Sequence, residues 1–414
     1  MYFVRNSAIT VALFAAIYQF WFKGFVFDVL GVGRSVESIE DFPWNCRRVT
    51  HSQLEGCEDL FLDEEDRVLY AACSGSLARS QWNPGYDNPE DIADAFDDEV
   101  DRETRLSKYN VSGRRLQGSE LMAIYIDEPT SDDQFRMYSI KPRGYKGATG
   151  DITMDLVGFD VDASKKDKLD FWLINHRPPV DDKKQYLDAT KIGSNVSIEV
   201  FSYSKGTLEM RHMKTISHPQ IYAANNLALT SNGGFVRKEF DLILGGGNLV
   251  HFKADQTFLA ATPNSLPFAN GLARGHDGLI YVPFSAATYI GVYRLAQDGS
   301  LEEVTRVKVG MSVDNLSVDS SGNIWAAGIP RVLELMGATV EPFDKTSPST
   351  IFRIRKTGEE EYEIDKVLED GQAEVVSGAT TAVFDRQSER LFIGGKNTNQ
   401  GLLCEIITIG GVPS

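Results

Sequence analysis

Apolar and polar residues alternate in short runs through most of the chain, and this pattern predicts β-strands joined by tight turns. One phrase recurs: a turn rich in Asp and Gly, then an aliphatic, an aromatic, and a small or aliphatic residue. Recurrent hairpins at intervals of ~40–60 residues favour a β-propeller over a sandwich. The phrase occurs as "EEDRVLYAAC" (64–73), "KKDKLDFWLINH" (165–176), "GHDGLIYVPF" (275–284), "DSSGNIWAAG" (319–328) and "DRQSERLFIGG" (385–395).

Oxygen-bearing side chains precede the aromatic residue of four of these hairpins at a constant spacing of 11 residues. Asp155 precedes the hairpin that contains "DFWLINH", and the pair Asn225 and Asn226 precedes "LALTSNGGF", so six positions emerge, one for each hairpin. We therefore expect an all-β, six-bladed propeller. The pairs with the constant spacing are Asp59 and Tyr70, Asn270 and Tyr281, Asp314 and Trp325, and Thr381 and Phe392.

The innermost strands of a propeller surround a central channel, so equivalent positions on successive blades converge on one axis. A single Asn or Asp at the start of a strand usually caps a turn. Six positions in register favour a binding site instead. Oxygen ligands without a Cys or His cluster favour Ca²⁺ over Zn²⁺ or copper. The predicted ring contains Glu58, Asp59, Asp155, Asn225, Asn226, Asn270, Asp314 and Asn315.

Composition narrows the class of partner. The 414 residues are 42% hydrophobic and 24% charged, which are values of a folded globular protein. The net charge of −17 argues against nucleic acid, because binding phosphates needs a clustered basic surface. This charge suits a soluble secreted or lumenal protein, or one that binds cations.

The N-terminus carries an apolar segment. Arg5 precedes "SAITVALFAAIYQFWF" (7–22), and a basic start before an apolar run is typical of a signal sequence. We expect residues 1–33 to be a retained signal-anchor and residues 44–410 to form the propeller in the lumen or outside the cell. The protein would be membrane-anchored or secreted, since cleavage is not decided by the sequence. Asn110 and Asn195 begin glycosylation triplets.

Residues 84–104 interrupt the first hairpin unit with a strongly acidic stretch, "YDNPEDIADAFDDEVDRE" at 86–103. Such a charge run is usually a solvated loop. The alternative is a lid over the channel, because propeller insertions gather at the functional face. Four cysteines, Cys46, Cys57, Cys73 and Cys404, allow several disulfide pairings.

The ordered series of motifs from Cys46 to Ile406 resembles the paraoxonase/arylesterase family and is similar to its fungal branch. That family is a six-bladed propeller with two calcium ions in its tunnel, a retained N-terminal hydrophobic segment and a disulfide. The resemblance implies a Cys46–Cys404 bond, with Cys57 and Cys73 free and buried. The motifs are "EGCEDLFLD" (55–63), "LINHRPP" (173–179), "AANNLALT" (223–230), "PFANGLA" (267–273), "SVDNLSVD" (312–319) and "GLLCEI" (401–406).

The resemblance also implies two sets of calcium ligands. A deeper structural ion would use Asp59, Asn226 and a backbone carbonyl near Val157. The family has aspartate where this chain has Asn226, and ligand charge helps to set calcium affinity. We therefore expect the structural ion to bind loosely or to be absent. The catalytic ion would be held by Glu58, Asn225, Asn270, Asp314 and Asn315.

Members of the family hydrolyse esters and lactones, and are drawn with a histidine pair as the base. The second histidine corresponds to His176, while Asp155 takes the position of the first. Asp155 could act as the base, could bind calcium, or could mark a chain that has lost hydrolysis. The alternatives to a calcium-dependent esterase or lactonase are a non-catalytic, calcium-stabilised binding scaffold and a metal-free propeller enzyme similar to strictosidine synthase. The oligomeric state is not predicted.

Overall fold

The computed structural model describes residues 18–82, 109–132, 134–221, 224–230, 233–238, 248–253, 257–262, 266–395 and 403–408. Strands predominate in these residues, and the sequence-based expectation of an all-β protein is confirmed. Three short α-helices are described: α1 (Ser76–Gln81), α2 (Ala189–Ile192) and α3 (Val332–Val340). Single helical turns lie at Tyr18–Phe22, Phe25–Val29, Ile39–Asp41, Val111–Gly113 and Pro219–Ile221.

The strands follow one another at short intervals along the chain. In order they are β1 (Trp44–Val49), β2 (Cys57–Asp63), β3 (Val68–Cys73), β4 (Glu120–Pro129), β5 (Phe135–Arg143), β6 (Leu156–Lys165), β7 (Lys168–Arg177), β8 (Asn195–Ser204), β9 (Glu209–Ile216), β10 (Ala224–Thr230), β11 (Gly233–Lys238), β12 (Asn248–Lys253), β13 (Phe258–Ala260), β14 (Ala273–Arg274), β15 (Ile280–Phe284), β16 (Tyr289–Leu295), β17 (Leu301–Lys308), β18 (Ser312–Val318), β19 (Ile324–Ile329), β20 (Ser349–Lys356), β21 (Tyr362–Asp370), β22 (Ala379–Asp385), β23 (Arg390–Gly395) and β24 (Leu403–Thr408).

Antiparallel meanders of four strands are the building unit. Three sheets consist of β10 to β13, β14 to β17 and β18 to β21. An eight-stranded sheet joins the meander β2 to β5 to the meander β6 to β9 through a short parallel pairing of β5 with β9. The last sheet has the order β1-β24-β23-β22, so a strand from near the N-terminus completes a sheet built by the C-terminal strands.

The first strands of the meanders, β2, β6, β10, β14, β18 and β22, lie next to one another in a closed series. Each of them contacts the next, and β22 contacts β2. These strands therefore surround a common axis, and the fold is propeller-like. Counting the eight-stranded sheet as two meanders gives six meanders around this axis.

The aromatic residues of the repeated phrase lie between neighbouring meanders. Tyr70 on β3 contacts Phe171 on β7 with ring centroids 5.2 Å apart, and both side chains are buried. Trp325 on β19 stacks on Phe384 on β22 at 4.5 Å. Burying such a side chain stabilises the fold by roughly 2–3 kcal/mol. The recurring aromatic position is thus a packing position that holds successive meanders together.

The cysteines are arranged differently from the expectation. Cys57 and Cys73 face each other in the β2–β3 register and form a disulfide, so the prediction that both are free was wrong, although both are buried. The sequence did not reveal that a hairpin places them opposite each other. Cys46 lies on β1 and Cys404 on β24, near each other in register. The side chain of Cys404 lies outside the described residues, so the Cys46–Cys404 bond stays a prediction.

Two predicted segments fall largely outside the described residues. The acidic insertion at 84–104 lies wholly outside them, as does the N-terminal segment up to residue 17. Over the part of the chain that is described, we find no helix with the length and apolar character needed to cross a membrane.

Candidate functional site

Irregular strand pairing explains how adjacent residues can both point toward the axis. In a regular strand, successive side chains point to opposite faces of the sheet. A β-bulge breaks this alternation and re-aims a side chain. The register of the inner hairpins shifts between Cys57 and Asp59, between Ala224 and Leu227, and between Val313 and Leu316. The polar pairs Glu58-Asp59, Asn225-Asn226 and Asp314-Asn315 lie at these shifts.

Hydrogen bonds join polar residues from different inner strands. Asn226 Nδ2 donates to Asn315 Oδ1 at 3.2 Å, which joins β10 to β18. Asn225 Nδ2 lies 3.4 Å from Asn270 Oδ1, which joins β10 to the segment before β14. Asn315 Nδ2 donates to the backbone carbonyl of Glu58 at 3.3 Å, which joins β18 to β2. Side chains far apart in sequence therefore meet at the axis.

Seven of the predicted ligands are buried at these positions, and we refer to them as the polar ring. Their side chains come from β2, β10, β18 and the segment before β14. Asp314 shares its bulge with Asn315, and its backbone carbonyl accepts a hydrogen bond from Gly271. The polar ring consists of Glu58, Asp59, Asn225, Asn226, Asn270, Asp314 and Asn315.

Glycine allows the inner strands to approach closely at the ring. A Cβ on Gly158 would lie 2.4 Å from the carbonyl oxygen of Asn225 and 3.2 Å from the Cα of Asn226. A Cβ on Gly271 would lie 2.6 Å from the Cα of Asn315. Since backbone atoms cannot move aside as a flexible side chain can, these positions accept only glycine without displacing a ligand-bearing strand.

Two hydroxyl groups that the sequence did not single out support the ring. Asn270 Nδ2 donates to Ser285 Oγ at 3.2 Å, and Ser285 Oγ donates to the carbonyl of Val313 at 2.6 Å. This pair orients the amide of Asn270 with its oxygen toward Asn225. Thr380 Oγ1 donates to the carbonyl of Glu58 at 3.0 Å. The 11-residue spacing identified the adjacent residue Thr381. The same signal, shifted by one position, would have identified Thr380.

Asp59 illustrates the electrostatic cost of the ring. Its Oδ1 accepts a hydrogen bond from Leu60 N and its Oδ2 from Phe159 N, both at 3.0 Å. Burial raises the pKa of Asp59 to about 8, the two backbone donors lower it, and the charge of Glu58 raises it further. A site that buries several carboxylates together is one in which added positive charge is favourable.

Asp59 and Asn226 also line a cavity at the far end of the channel, together with Asp160, Arg274 and His276. Burial raises the pKa of Asp160 to about 6. Val157, predicted as a backbone ligand of the deeper ion, lies in β6 at a register shift between Leu156 and Phe159. The close approach of Gly158 to β10 brings this part of β6 beside Asn226.

A second pocket lies at the opposite side of the ring and contains both predicted catalytic residues. It is lined by residues of β6 and β7, of α1 and of the loop before β4. Asp155 and His176 are thus brought together, and the backbone N–H of His176 donates to the carbonyl of Asp155 at 2.9 Å. The lining includes Arg79, Trp82, Arg114, Asp155, Val157 and His176.

Asp155 is held in an ion pair. Arg114 Nε lies 2.9 Å from both carboxylate oxygens, and Arg114 Nη2 lies 2.6 Å from Oδ2. Burial raises the pKa of Asp155, and Arg114 opposes this shift. A carboxylate whose two oxygens already accept hydrogen bonds from a guanidinium is a poorer proton acceptor than a solvated one. Its role as a base stays a prediction, with Arg114 as the partner that the sequence did not reveal.

His176 is oriented through its backbone and its ring. Nε2 lies 2.5 Å from the carbonyl oxygen of Ala224, and Trp82 Nε1 donates to the carbonyl of His176 at 3.0 Å. Because a carbonyl oxygen can only accept, Nε2 carries the hydrogen. In the neutral ring, Nδ1 is then the basic nitrogen. This arrangement suits a histidine that accepts a proton through Nδ1.

Arg79 is the charged residue at the ring that sequence reasoning missed. It lies on α1, and its Nη1 is 2.7 Å from Glu58 Oε2, with both side chains 4% exposed. Its Nη2 donates to the carbonyl of Leu156 at 2.6 Å. No motif or spacing marked this arginine, because α1 follows the first hairpin and belongs to none of the repeats.

The two predicted glycosylation sites are exposed. Asn110 lies before a helical turn and its Oδ1 accepts from Ser112 N at 3.1 Å. Asn195 begins β8, and its Oδ1 accepts from Arg177 Nη2 at 3.2 Å. Both positions are accessible to modification, which stays a prediction.

Comparison with known proteins places the chain in a family. The family model described as Arylesterase matches residues 181–406, which is more than half of the chain. The chain belongs to the arylesterase family. The predicted resemblance to paraoxonases and arylesterases is thereby confirmed. The matched range contains Asn225, Asn270 and Asp314, whereas Glu58 and His176 precede it.

The named relatives share low sequence identity with this chain. Serum paraoxonase/arylesterase 1 of Rattus norvegicus is 25% identical over 230 residues, which cover 51% of this chain and 62% of that protein. Serum paraoxonase/arylesterase 2 of the same species is 23% identical over 227 residues, covering 51% and 61%. The chain thus matches about three-fifths of the length of these relatives.

Matches among solved structures are more distant still. A luciferin-regenerating enzyme has a TM-score of 0.48 and 11% identity, over 89% of this chain and 96% of that one. Regucalcin from Agrobacterium tumefaciens, described as a calcium-binding protein, has a TM-score of 0.44 and 12% identity, over 88% and 94%.

Proposed function

We propose that this protein is a calcium-dependent hydrolase of esters or lactones, built on a six-bladed propeller. The six blades are supported by the closed series of contacts among the six first strands. The observation that carries the proposed activity is the convergence of buried carboxylate and carboxamide groups beside a pocket that contains His176. Membership of the arylesterase family supports the same chemistry.

The donor set of the polar ring fits calcium. Hard oxygen ligands of mixed charge suit Ca²⁺, which takes 6–8 of them at roughly 2.4 Å. Within the described residues, no group of three or more His, Cys, Asp or Glu side chains could hold a metal ion. The amide oxygens of the ring must therefore supply much of the coordination. Glu58, Asn225, Asn270, Asp314 and Asn315 would hold the catalytic ion.

The second, structural ion would lie between Asp59, Asn226 and the backbone near Val157. Only one carboxylate serves this position, so we propose that it binds calcium more weakly than the first. Calorimetry that resolved two ions of equal affinity would contradict this ranking.

In this proposal each residue of the site has a separate role in hydrolysis. A bound calcium ion supplies Lewis acidity that stabilises negative charge on the oxygen of the substrate carbonyl. His176, held by Ala224 and Trp82, presents Nδ1 to accept the proton of the attacking water. The ion pair of Asp155 with Arg114 fixes the pocket wall from which His176 extends. Ser285 keeps the oxygen of Asn270 directed into the ring.

Chelation tests the proposal directly. We expect the purified protein to hydrolyse phenyl acetate or an aliphatic lactone in calcium, and to lose at least about 100-fold in rate with excess EGTA, because the charge that stabilises the oxyanion is removed. Initial rates across a lactone panel, before and after calcium is restored, make the measurement. Turnover that is indifferent to EGTA would contradict calcium dependence.

The ion pairs in the pocket favour one other function, a calcium-stabilised binding scaffold. Arg79 and Arg114 already match the charges of Glu58 and Asp155, as in a site kept for structure rather than chemistry. A calcium-dependent rise in melting temperature without turnover on any ester or lactone would favour the scaffold.

We also propose that the propeller lies in the lumen of the secretory pathway or outside the cell, associated with the membrane through its N-terminal segment or secreted. The Cys57–Cys73 disulfide supports an oxidising compartment. Expressed in a eukaryotic secretory host, the protein is expected to lose two glycans on treatment with N-glycosidase, and one in either the Asn110→Gln or the Asn195→Gln variant. An unchanged electrophoretic mobility after treatment would contradict this localisation.

A further inference from the structure

The guanidinium group of Arg79 pairs with Glu58 of the polar ring. Without Arg79, this buried carboxylate would have no positively charged partner. Its Nη1 lies 2.7 Å from Glu58 Oε2, and both side chains are almost fully buried. Its Nε finds no hydrogen-bond partner among the described residues. The group is therefore held mainly by charge, through Glu58, and by one hydrogen bond to the carbonyl of Leu156.

We propose that Arg79 is a built-in competitor of the catalytic calcium ion, which we call the outer ion, and that this ion must displace Arg79 from Glu58 in order to bind. The inference rests on the proposed calcium site and concerns how that site is controlled. Glu58 is one of two carboxylates available to the outer ion. A carboxylate oxygen at ion-pair distance from a guanidinium cannot at the same time offer its full charge to a divalent cation.

The net charge of the outer site differs between the state in which Arg79 pairs with Glu58 and the state in which calcium is bound. With Arg79 in place, Glu58 and Asp314 leave the outer site with one net negative charge. With Arg79 withdrawn, the site carries two, which matches a divalent ion. An arginine keeps its positive charge in a protein, so the competition cannot be relieved by deprotonation. Calcium binding thus requires movement of the side chain.

Arg79 borders the pocket that contains His176. Arg79 and Trp82 lie on or next to α1 and line the same pocket as His176 and Asp155. The helix has only six residues and follows Gly75, whose φ of 82° favours glycine. Movement of Arg79 out of the ring therefore changes the wall of the pocket in which the substrate would bind. Calcium occupancy and pocket shape are coupled through one residue.

The test measures calcium affinity, so it does not depend on catalysis. Calcium is titrated by calorimetry into the wild-type protein and into Arg79→Gln, after removal of metal. Arg79→Gln is expected to bind the outer ion at least tenfold more tightly. In EGTA the variant is expected to melt at a lower temperature than the wild type, because Glu58 is left buried without a partner. Calcium should restore the melting temperature, since it binds the folded state.

A matched control removes a similar ion pair elsewhere. Arg67 pairs with the buried Asp385 at the other end of β2 and β22. Arg67→Gln should also lower the melting temperature in EGTA, but its calcium affinity should equal that of the wild type. A tenfold gain in both variants would overturn the proposal, because the gain would then follow from a loss of positive charge anywhere.

The remaining outcomes separate the two hypotheses. Equal calcium affinity in the wild type and Arg79→Gln would overturn the role of Arg79 and leave the calcium site intact. Absence of saturable binding in both would overturn the calcium site and the competitor together. Should Arg79→Gln fail to fold, Arg79→Lys replaces it. The lysine has a shorter reach and a single charged group, so at least threefold tighter binding is expected, and affinity equal to wild type would contradict the proposal.

Discussion

Asn270→Ala is expected to lower kcat/KM for phenyl acetate and for lactones by at least about 100-fold, which is typical of losing one group that stabilises the transition-state charge. The oxygen of Asn270 faces Asn225 across the ring, and its nitrogen is satisfied by Ser285. Alanine removes one of three amide ligands from the outer site. The fold should tolerate the change, since each of the two lost hydrogen bonds costs about 1 kcal/mol.

Steady-state kinetics together with calcium titration check this prediction. Calcium affinity should fall along with activity, because the same oxygen serves both. Asn45→Ala is the control, because Asn45 is exposed on the outer strand β1. A variant with full calcium affinity and full activity would show that Asn270 is only a packing residue. A variant that unfolds would point to a structural role for the outer ion.

Gly158→Ala is expected to destabilise the protein by about 3 kcal/mol or more, the upper part of the range for overpacking. The added methyl group would overlap the carbonyl of Asn225, which is backbone and cannot rotate away. Relief of the overlap requires β6 and β10 to separate, and this displaces Asn225 and Asn226 from the ring. Stability and calcium binding should therefore fall together.

Urea unfolding in calcium and in EGTA measures both effects. Gly337→Ala serves as the control. Gly337 lies in α3, and an added methyl group there meets only the flexible end of Lys345 at 3.2 Å. Alanine favours helix, so this variant should be as stable as the wild type or slightly more so. Wild-type stability of Gly158→Ala would mean that β6 and β10 are farther apart than described.

The spacing of polar and aromatic residues was informative because a propeller repeats one local structure. Asp59 and Asp314 lie in the first strand of a meander and Asn270 lies just before one, and the aromatic residue 11 positions later belongs to the second strand. Hydrophobic contact between sheets constrains the aromatic position, and the central axis constrains the polar one. Both constraints recur together in four of the six meanders, so the sequence alone reveals them.

The sequence did not reveal the ion-pair partners that lie outside the repeat. Arg79 on α1 and Arg114 in the loop before β4 bind Glu58 and Asp155, yet each is a single basic residue in an unpatterned stretch. The disulfide was missed for a related reason. Spacing shows that Cys57 and Cys73 flank a hairpin, whereas strand register decides that they face each other.

The amino-acid sequence by itself determined the all-β repeat, the family and the set of oxygen-bearing residues, since these depend on local periodicity and on motifs within single hairpins. Only the tertiary structure decided which of these residues meet. Bulges in β2, β10 and β18 turn adjacent polar side chains toward the axis, and glycines at 158 and 271 let the strands close on them. The physical reason is that convergence on an axis and pairing of buried charges depend on contacts between strands distant in the chain, which no local pattern encodes.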